Sequence, residues 1–233
     1  KSAGVKKAVI LGSYFSYFAK LWPEKRLCDK HPYIRSRIDQ ENVALSFSDD
    51  KFEVMVLELP YIFGAMKGRK PVWMFLINML LNMKNNVYYP KGGTTMVTVK
   101  QTGQCIAGAL ERGLGGTCYP VGMYNMKWKE MLKIMLKYIG APDKKIVTIP
   151  TMIYKLSSYV TRKKYIKQGI EPGLNPVDFV QLMTADTFIS GKVIKESLGV
   201  EEDDIDAAIG DSVMQCLEIK KNNSKDVVTM KAE

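Results

Sequence analysis

Ser13 follows the apolar run Ala8-Val9-Ile10-Leu11, Tyr33 lies twenty positions further on, and Arg37 stands four beyond that. Together these residue types can move a proton. A free tyrosine has a pKa of about 10 and is a poor acid or base near neutrality unless its anion is stabilised. A cation one helical turn away supplies that stabilisation by direct charge attraction. A serine hydroxyl nearby can hold a substrate oxygen while the tyrosine gives or takes its proton. The combination suits interconversion of an alcohol and a carbonyl, with hydride passing to or from a nicotinamide. Spacing alone also allows a plainer reading, because Tyr-x-x-x-Arg arises in many helices as a packing contact and serines often end strands.

The elements that must position these residues are legible around them. Gly4-Val5-Lys6-Lys7 reads as a helix end with a glycine break, and the apolar run after it as a buried parallel strand. Pro32 opens a helix at its favoured first-turn position, with Ile34, Ile38 and Leu45 on one face and Tyr33 and Arg37 on an adjacent one. Val54-Met55-Val56-Leu57 is a second buried strand, stopped by Pro60 and Gly64. Strand, helix, strand in that order predicts a parallel α/β sheet.

Further on, 64–71 reads as a loop and 72–83 as an apolar helix. Met96 to Val99 reads as a short strand, and a helix runs through Ile106 and Leu110. A glycine-rich break spans Gly113 to Gly116, and Tyr119 to Gly122 reads as a strand end. Asn125 is expected to cap a helix over 127–139, closed by Gly140 and Pro142. Ile146 to Ile149 is a short strand. Beyond it the chain reads as mainly helical, with Asp203 or Asp204 capping a helix through Ile205, Ile209, Val213, Cys216 and Leu217.

Composition narrows the classes. The 233 residues carry a formal charge of +10, which raises nucleic acid or anionic membrane as partners. The lysines are dispersed, however, with no long basic block, no finger motif and no aromatic-and-basic sheet signature, which argues against nucleic acid. Cys28, Cys105, Cys118 and Cys216 form no CxxC pair, and His31 is the only histidine, so no metal site is expected. Reduced thiols fit a cytoplasmic protein. The longest apolar stretch, Val72 to Leu81, is too short to span a bilayer, so no membrane partner is expected. The start Lys-Ser-Ala-Gly lacks both Met and an apolar leader and reads as the start of a fragment.

Over residues 3–218 the sequence resembles the later part of an extended short-chain dehydrogenase/reductase of the NAD-dependent epimerase/dehydratase type. The run from Ala3 to Phe18 is similar to the strand and serine-rich turn of that family, which puts its catalytic Ser on Ser13. His31-Pro-Tyr-Ile-Arg-Ser-Arg37 resembles its Tyr-x-x-x-Lys helix, with the catalytic Tyr on Tyr33 and Arg37 in place of Lys. Leu57-Glu-Leu-Pro-Tyr-Ile-Phe-Gly64 resembles its Arg-Pro-x-x-x-Tyr-Gly stretch, so backbone at Pro60, Tyr61 and Ile62 is expected to face the nicotinamide. Tyr14 and Tyr17 are candidates to line the substrate side, or else core aromatics. Arg37 keeps the positive charge, but its planar fork is not a lysine point charge. The family's Arg before the proline is absent, Glu58 and Leu59 standing there, and Thr94 and Thr95 stand where sugar-nucleotide enzymes carry an arginine.

The resemblance implies an α/β fold, a partial Rossmann-type parallel sheet with a smaller, mostly helical substrate domain. The second half of the NAD(P)-binding domain would come from 1–66 and 94–122, the substrate domain from 67–93 and 123–220, and 221–233 would be a polar tail. The implied activity is that of an NAD(P)-dependent oxidoreductase or epimerase acting on a small-molecule substrate, with a homodimer possible through the Tyr33 helix. The family's glycine-rich phosphate loop has no counterpart here. At ~30 residues per βαβ unit on the order of 100 residues would precede Lys1, so the fragment is expected to be inactive alone. Two other readings stay open, a non-catalytic NAD(P)-sensing protein of the same fold and a stand-alone protein-interaction module.

Overall fold

A computed structural model describes residues 1–66 and 68–222, so most of the expected tail lies outside the described residues. In chain order the elements are β1 (Lys7–Leu11), α1 (Tyr14–Leu21), α2 (Leu27–Lys30), α3 (Pro32–Leu45), β2 (Glu53–Glu58), β3 (Tyr61–Phe63) and α4 (Met74–Asn82). There follow β4 (Asn86–Pro90), β5 (Gly93–Thr98), α5 (Val99–Arg112), β6 (Cys118–Pro120), β7 (Tyr124–Lys127), α6 (Trp128–Ile139) and β8 (Lys145–Ile149). The chain continues through α7 (Thr151–Lys167), α8 (Val180–Met183), β9 (Asp186–Thr187), α9 (Lys192–Leu198) and α10 (Ile205–Asn222).

The sheet that carries the candidate site has the order β1-β2-β6, and both pairings are parallel. The apolar run of β2 is buried throughout from Val54 to Leu57, as befits a strand covered on both faces. A second sheet, β3-β5-β7, mixes parallel and antiparallel pairs and takes β9 on the side of β5, and β4 pairs with β8 in a third. The fold is therefore α/β, with parallel strands alternating with helices.

Three apolar clusters hold these layers together. Met55, Leu57, Val97, Cys105, Ala109 and Tyr119 join α5 to the parallel sheet, and Ile194 and Leu198 of α9 close the same cluster. Phe63, Leu76, Ile77 and Leu80 pack with Met131, Leu132 and Met135 of α6 and with Ile209 and Val213 of α10. Tyr14, Phe15, Phe18, Leu27 and Ile34 form the third, beneath the candidate site.

The structure differs from the sequence expectation at several elements. Lys1 to Gly4 is a turn rather than a helix end, with Gly4 at φ +75° and its N–H donating to the Lys1 carbonyl. Val99 belongs to α5 rather than to the strand before it, because Thr98 caps that helix by accepting from the Gln101 N–H. Asn125 caps nothing. It lies in β7, its side chain accepts from the Ile189 N–H, and the residue before α6 is Lys127. The alternatives at α10 resolve to Asp204, whose carboxylate accepts from the Ala207 N–H.

Candidate active site

Ser13 sits where β1 ends and α1 begins. Its backbone is extended (φ −137°, ψ 137°) and its Oγ accepts from the Phe15 N–H at 3.4 Å, an N-cap that fixes the hydroxyl just beyond the strand end. The preceding Gly12 leaves little room: a Cβ there would stand 3.0 Å from Val56 Cγ1 and 3.4 Å from the Leu57 carbonyl. Ser13 is buried.

Tyr33 is the second residue of α3, after Pro32 at the first position. No side chain caps this helix. Instead the Tyr33 N–H donates to the Gly173 carbonyl at 2.8 Å, and the Asn175 N–H donates to Nδ1 of buried His31 at 3.1 Å. The segment 173–175 thus latches the start of the helix that carries Tyr33. The Tyr33 ring meets Phe15 edge-on at 6.3 Å between centroids, so α1 and α3 bring the strand-end serine and the tyrosine into one neighbourhood.

Arg37, one turn along, places its guanidinium 5.0 Å from the centroid of the Tyr33 ring. Its Nη1 donates to Gln40 Oε1 at 2.9 Å, while its Nε is buried without a hydrogen-bond partner among the described residues. A buried donor left free is costly, so it marks a place where a polar group of a ligand would be welcome.

Pro60 links β2 to β3, and Tyr61 and Ile62 lie in β3, in parallel register with Met96 and Val97 of β5. The Leu59 carbonyl accepts from the Tyr14 N–H at 3.0 Å, tying this corner to the residue after Ser13. Tyr14 is buried with its hydroxyl 3.1 Å from Thr94 Oγ1, and Tyr17 is half-buried against the same aromatic cluster. Tyr61 packs against Tyr14, Trp73 and Trp128. Burial raises the pKa of Tyr14 above its ordinary value, against the opposing pull of bonds to Thr94 and Thr187. Burial raises that of Tyr61 well above the usual 10. Both therefore remain neutral phenols.

A charge cluster behind the site, its two carboxylates buried and its lysine half-exposed, was not singled out from sequence. Lys20 Nζ of α1 lies 2.9 Å from Glu41 Oε2 of α3 and 2.8 Å from Glu58 Oε1 at the end of β2. One ammonium thus ties together the three elements that carry Ser13, Tyr33 and Pro60. Both carboxylates are almost fully buried, and burial pushes Glu58 up to about 7. The available signal was Glu58 itself, an acid at the end of an apolar strand where the resembling family has arginine.

The four cysteines are free thiols, and no group of metal-ligating side chains comes together among the described residues. Clefts of about 720, 580, 350 and 340 Å³ lie elsewhere on the surface and are not lined by Ser13, Tyr33 or Arg37.

No protein-family model and no curated protein matches the sequence. Solved structures do match the fold. The crystal structure of gox2253 superposes with a TM-score of 0.64 at 16% identity, over 97% of this chain and 69% of its own length. A double mutant of the dTDP-glucose 4,6-dehydratase from Streptomyces venezuelae, with NAD and DAU bound, gives 0.61 at 15%, covering 94% of this chain and 62% of that one. The UDP-glucose 4-epimerase from Bifidobacterium longum, in complex with NAD+ and UDP, gives 0.56 at 14%, covering 94% and 65%. The fold is that of the NAD-dependent epimerases and dehydratases. The chain spans less than two thirds of the length of that dehydratase and that epimerase.

Proposed function

We propose that the protein is an NAD(P)-dependent oxidoreductase of the epimerase/dehydratase type, interconverting an alcohol and a carbonyl on a small-molecule substrate. The observation that carries this reading is the Arg37 guanidinium over the Tyr33 ring, on a fold whose solved examples hold NAD. Tyr33 gives or takes the proton of the substrate oxygen at its phenol. Ser13, held by its cap at the strand end, donates to the same oxygen and orients it. Arg37 would offer its Nε, unpaired among the described residues, to a ribose hydroxyl of the cofactor. Buried Tyr14 and Tyr61, kept neutral, line the wall and stay out of proton transfer.

The residues present fit the nicotinamide half of a dinucleotide: a free buried donor beside a tyrosine and a strand-end corner at Pro60. When bound, the nicotinamide supplies or accepts the hydride. The diphosphate half has no comparable cradle among the described residues, since Gly113 to Gly116 joins α5 to β6 instead of opening a helix after a strand. Residues 1–233 by themselves are accordingly expected to bind the dinucleotide weakly and turn over little.

The test is Tyr33→Phe in the full-length protein, screened against alcohols and carbonyl compounds by nicotinamide absorbance. Turnover should fall by roughly 10²–10⁴-fold while cofactor affinity stays within about twofold. Turnover that survives the substitution sinks the assignment.

A further inference from the structure

Helix α7 turns an apolar face outward. Met152 is 80% exposed, Leu156 65%, Val160 58% and Ile153 56%, with Tyr159 beside them. The packed side is the opposite one, where Ser158 is buried and Tyr154 leans on the core. Positions 152, 156, 159, 160, 163 and 167 fall on one face at helical spacing, and the last two are Lys163 and Lys167. With Lys155, Arg162 and Lys164 the helix carries five basic residues and no acidic one. The same surface continues through exposed Ile166 in the last turn and Ile170 beyond the helix end, beside a cleft of about 340 Å³ that Lys30 and Arg162 also line. Scattered exposed aliphatics are ordinary, but a contiguous stripe over three turns of one helix is not.

We infer that α7 docks the protein onto an anionic lipid surface, lying in the plane of the interface. The chemistry on the two parts of the face selects this occupant. Aliphatic side chains at the first three turns enter the boundary between headgroups and acyl chains. The basic side chains extend their apolar stems along it and place their charges among anionic headgroups. A second copy of this chain is a poorer match, because a two-fold contact through α7 brings both sets of five cations into one interface with no acidic residue of the helix to pair them. That no helix among the described residues is long and apolar enough to cross a bilayer does not bear on this mode, since α7 would lie on the membrane and not traverse it.

The experiment is sedimentation of the full-length protein with vesicles of phosphatidylcholine alone or with 30% phosphatidylserine, a probe composition of about one anionic lipid in three. Two paired variants are compared, Met152→Ser with Leu156→Ser and Lys163→Gln with Lys167→Gln. All four side chains are exposed or terminal on the helix, so unchanged melting is expected and is checked alongside. The wild-type protein should bind the anionic vesicles at least ~10-fold more tightly than the neutral ones, and each variant should lose on the order of 10-fold. Failure to bind anionic vesicles overturns the inference. So does a loss confined to the lysine variant, which would mean diffuse attraction of a cationic protein. A dimer in analytical ultracentrifugation that the Met152/Leu156 variant dissolves, without vesicle binding, would assign the face to a second copy. Vesicle-independent capture of an acidic protein would assign it to that partner.

Discussion

The guanidinium of Arg37 lies over the Tyr33 ring, 5.0 Å from its centre and one helical turn away on α3. A planar, delocalised cation rests on an aromatic face more readily than a compact ammonium does, so the arginine has a geometry of its own here. Arg37→Lys keeps the charge but loses the planar fork, and should retain activity within about 10-fold, the change falling mainly on cofactor KM. Arg37→Met removes the cation. Without it kcat should fall by roughly 10-fold or more and cofactor KM should rise. Steady-state kinetics that are unchanged in Arg37→Met would show that the cation takes no part in the reaction.

The Lys20–Glu41–Glu58 cluster makes a prediction about stability against pH. Glu58 has its folded pKa raised from 4.5 to about 7 by burial, with Lys20 pulling in the opposite direction. Between those values the folded state holds a proton that the unfolded state has released. Stability from this group is therefore greatest below pH 4.5 and declines as pH rises to about 7, by up to about 3 kcal/mol. Lys20 is raised by its two carboxylates, so its own contribution is present below 10.5 and is lost above that. Glu58→Gln should abolish the decline between 4.5 and 7 and leave the protein at least as stable as wild type at pH 8, with Lys20 still paired to Glu41. Chemical denaturation at several pH values reads this directly. An unchanged slope in the variant would rule out Glu58 as the group that takes up the proton on folding.

His31 acts with the opposite sign. Burial lowers its folded pKa below 6.5, and its Nδ1 must be unprotonated to accept from the Asn175 N–H. In the window beneath 6.5 the unfolded state binds more protons than the folded one, so this contribution is full above 6.5 and fades as pH falls. Glu58 masks it in the wild-type protein. In the Glu58→Gln background stability should fall on acidification below 6.5, and His31→Gln should flatten that remaining slope. Because 173–175 latches the start of α3, the His31 variant should also raise the exchange rate of the Tyr33 amide.

What could be read in the sequence divides along physical lines. β1, β2 and α3 were legible because their signals are local: continuous apolar runs, and a proline that can only open a helix. Gly140, at φ +81° after α6, is equally local. The strands β4, β7 and β9 were not, because they are short, rich in polar residues or close on proline, and exist through partners distant in sequence. Asn125 had the right chemistry for a cap but spends its side chain on Ile189, some sixty residues away. At the site, the sequence marked Ser13, Tyr33 and Arg37, and α1 and α3 bring their surroundings together through Phe15. The latch at Gly173 and Asn175 and the ammonium shared by Glu41 and Glu58 depend on tertiary neighbours that no spacing announces.

Two glycines of α5 test how the parallel sheet is sealed. Both lie inside the helix, where replacing glycine by alanine ordinarily gains about 0.5–1 kcal/mol of backbone entropy. A Cβ at Gly103 would meet nothing within 4 Å, so Gly103→Ala should show that gain. At Gly108 the Cβ would fall 2.0 Å from the Leu198 carbonyl oxygen, the last residue of α9, and backbone cannot swing aside as a side chain can. Gly108→Ala must therefore push α9 off α5 and open the cluster that Ile194 and Leu198 share with Met55 and Leu57. That costs about 1–3 kcal/mol beyond the helical gain, or several degrees in Tm for a chain of this size. Thermal melting of the two variants should thus move in opposite directions, Gly103→Ala up and Gly108→Ala down. If both rise, α9 does not rest on α5 at this distance, and the closing of the parallel layer would have to be assigned to other residues.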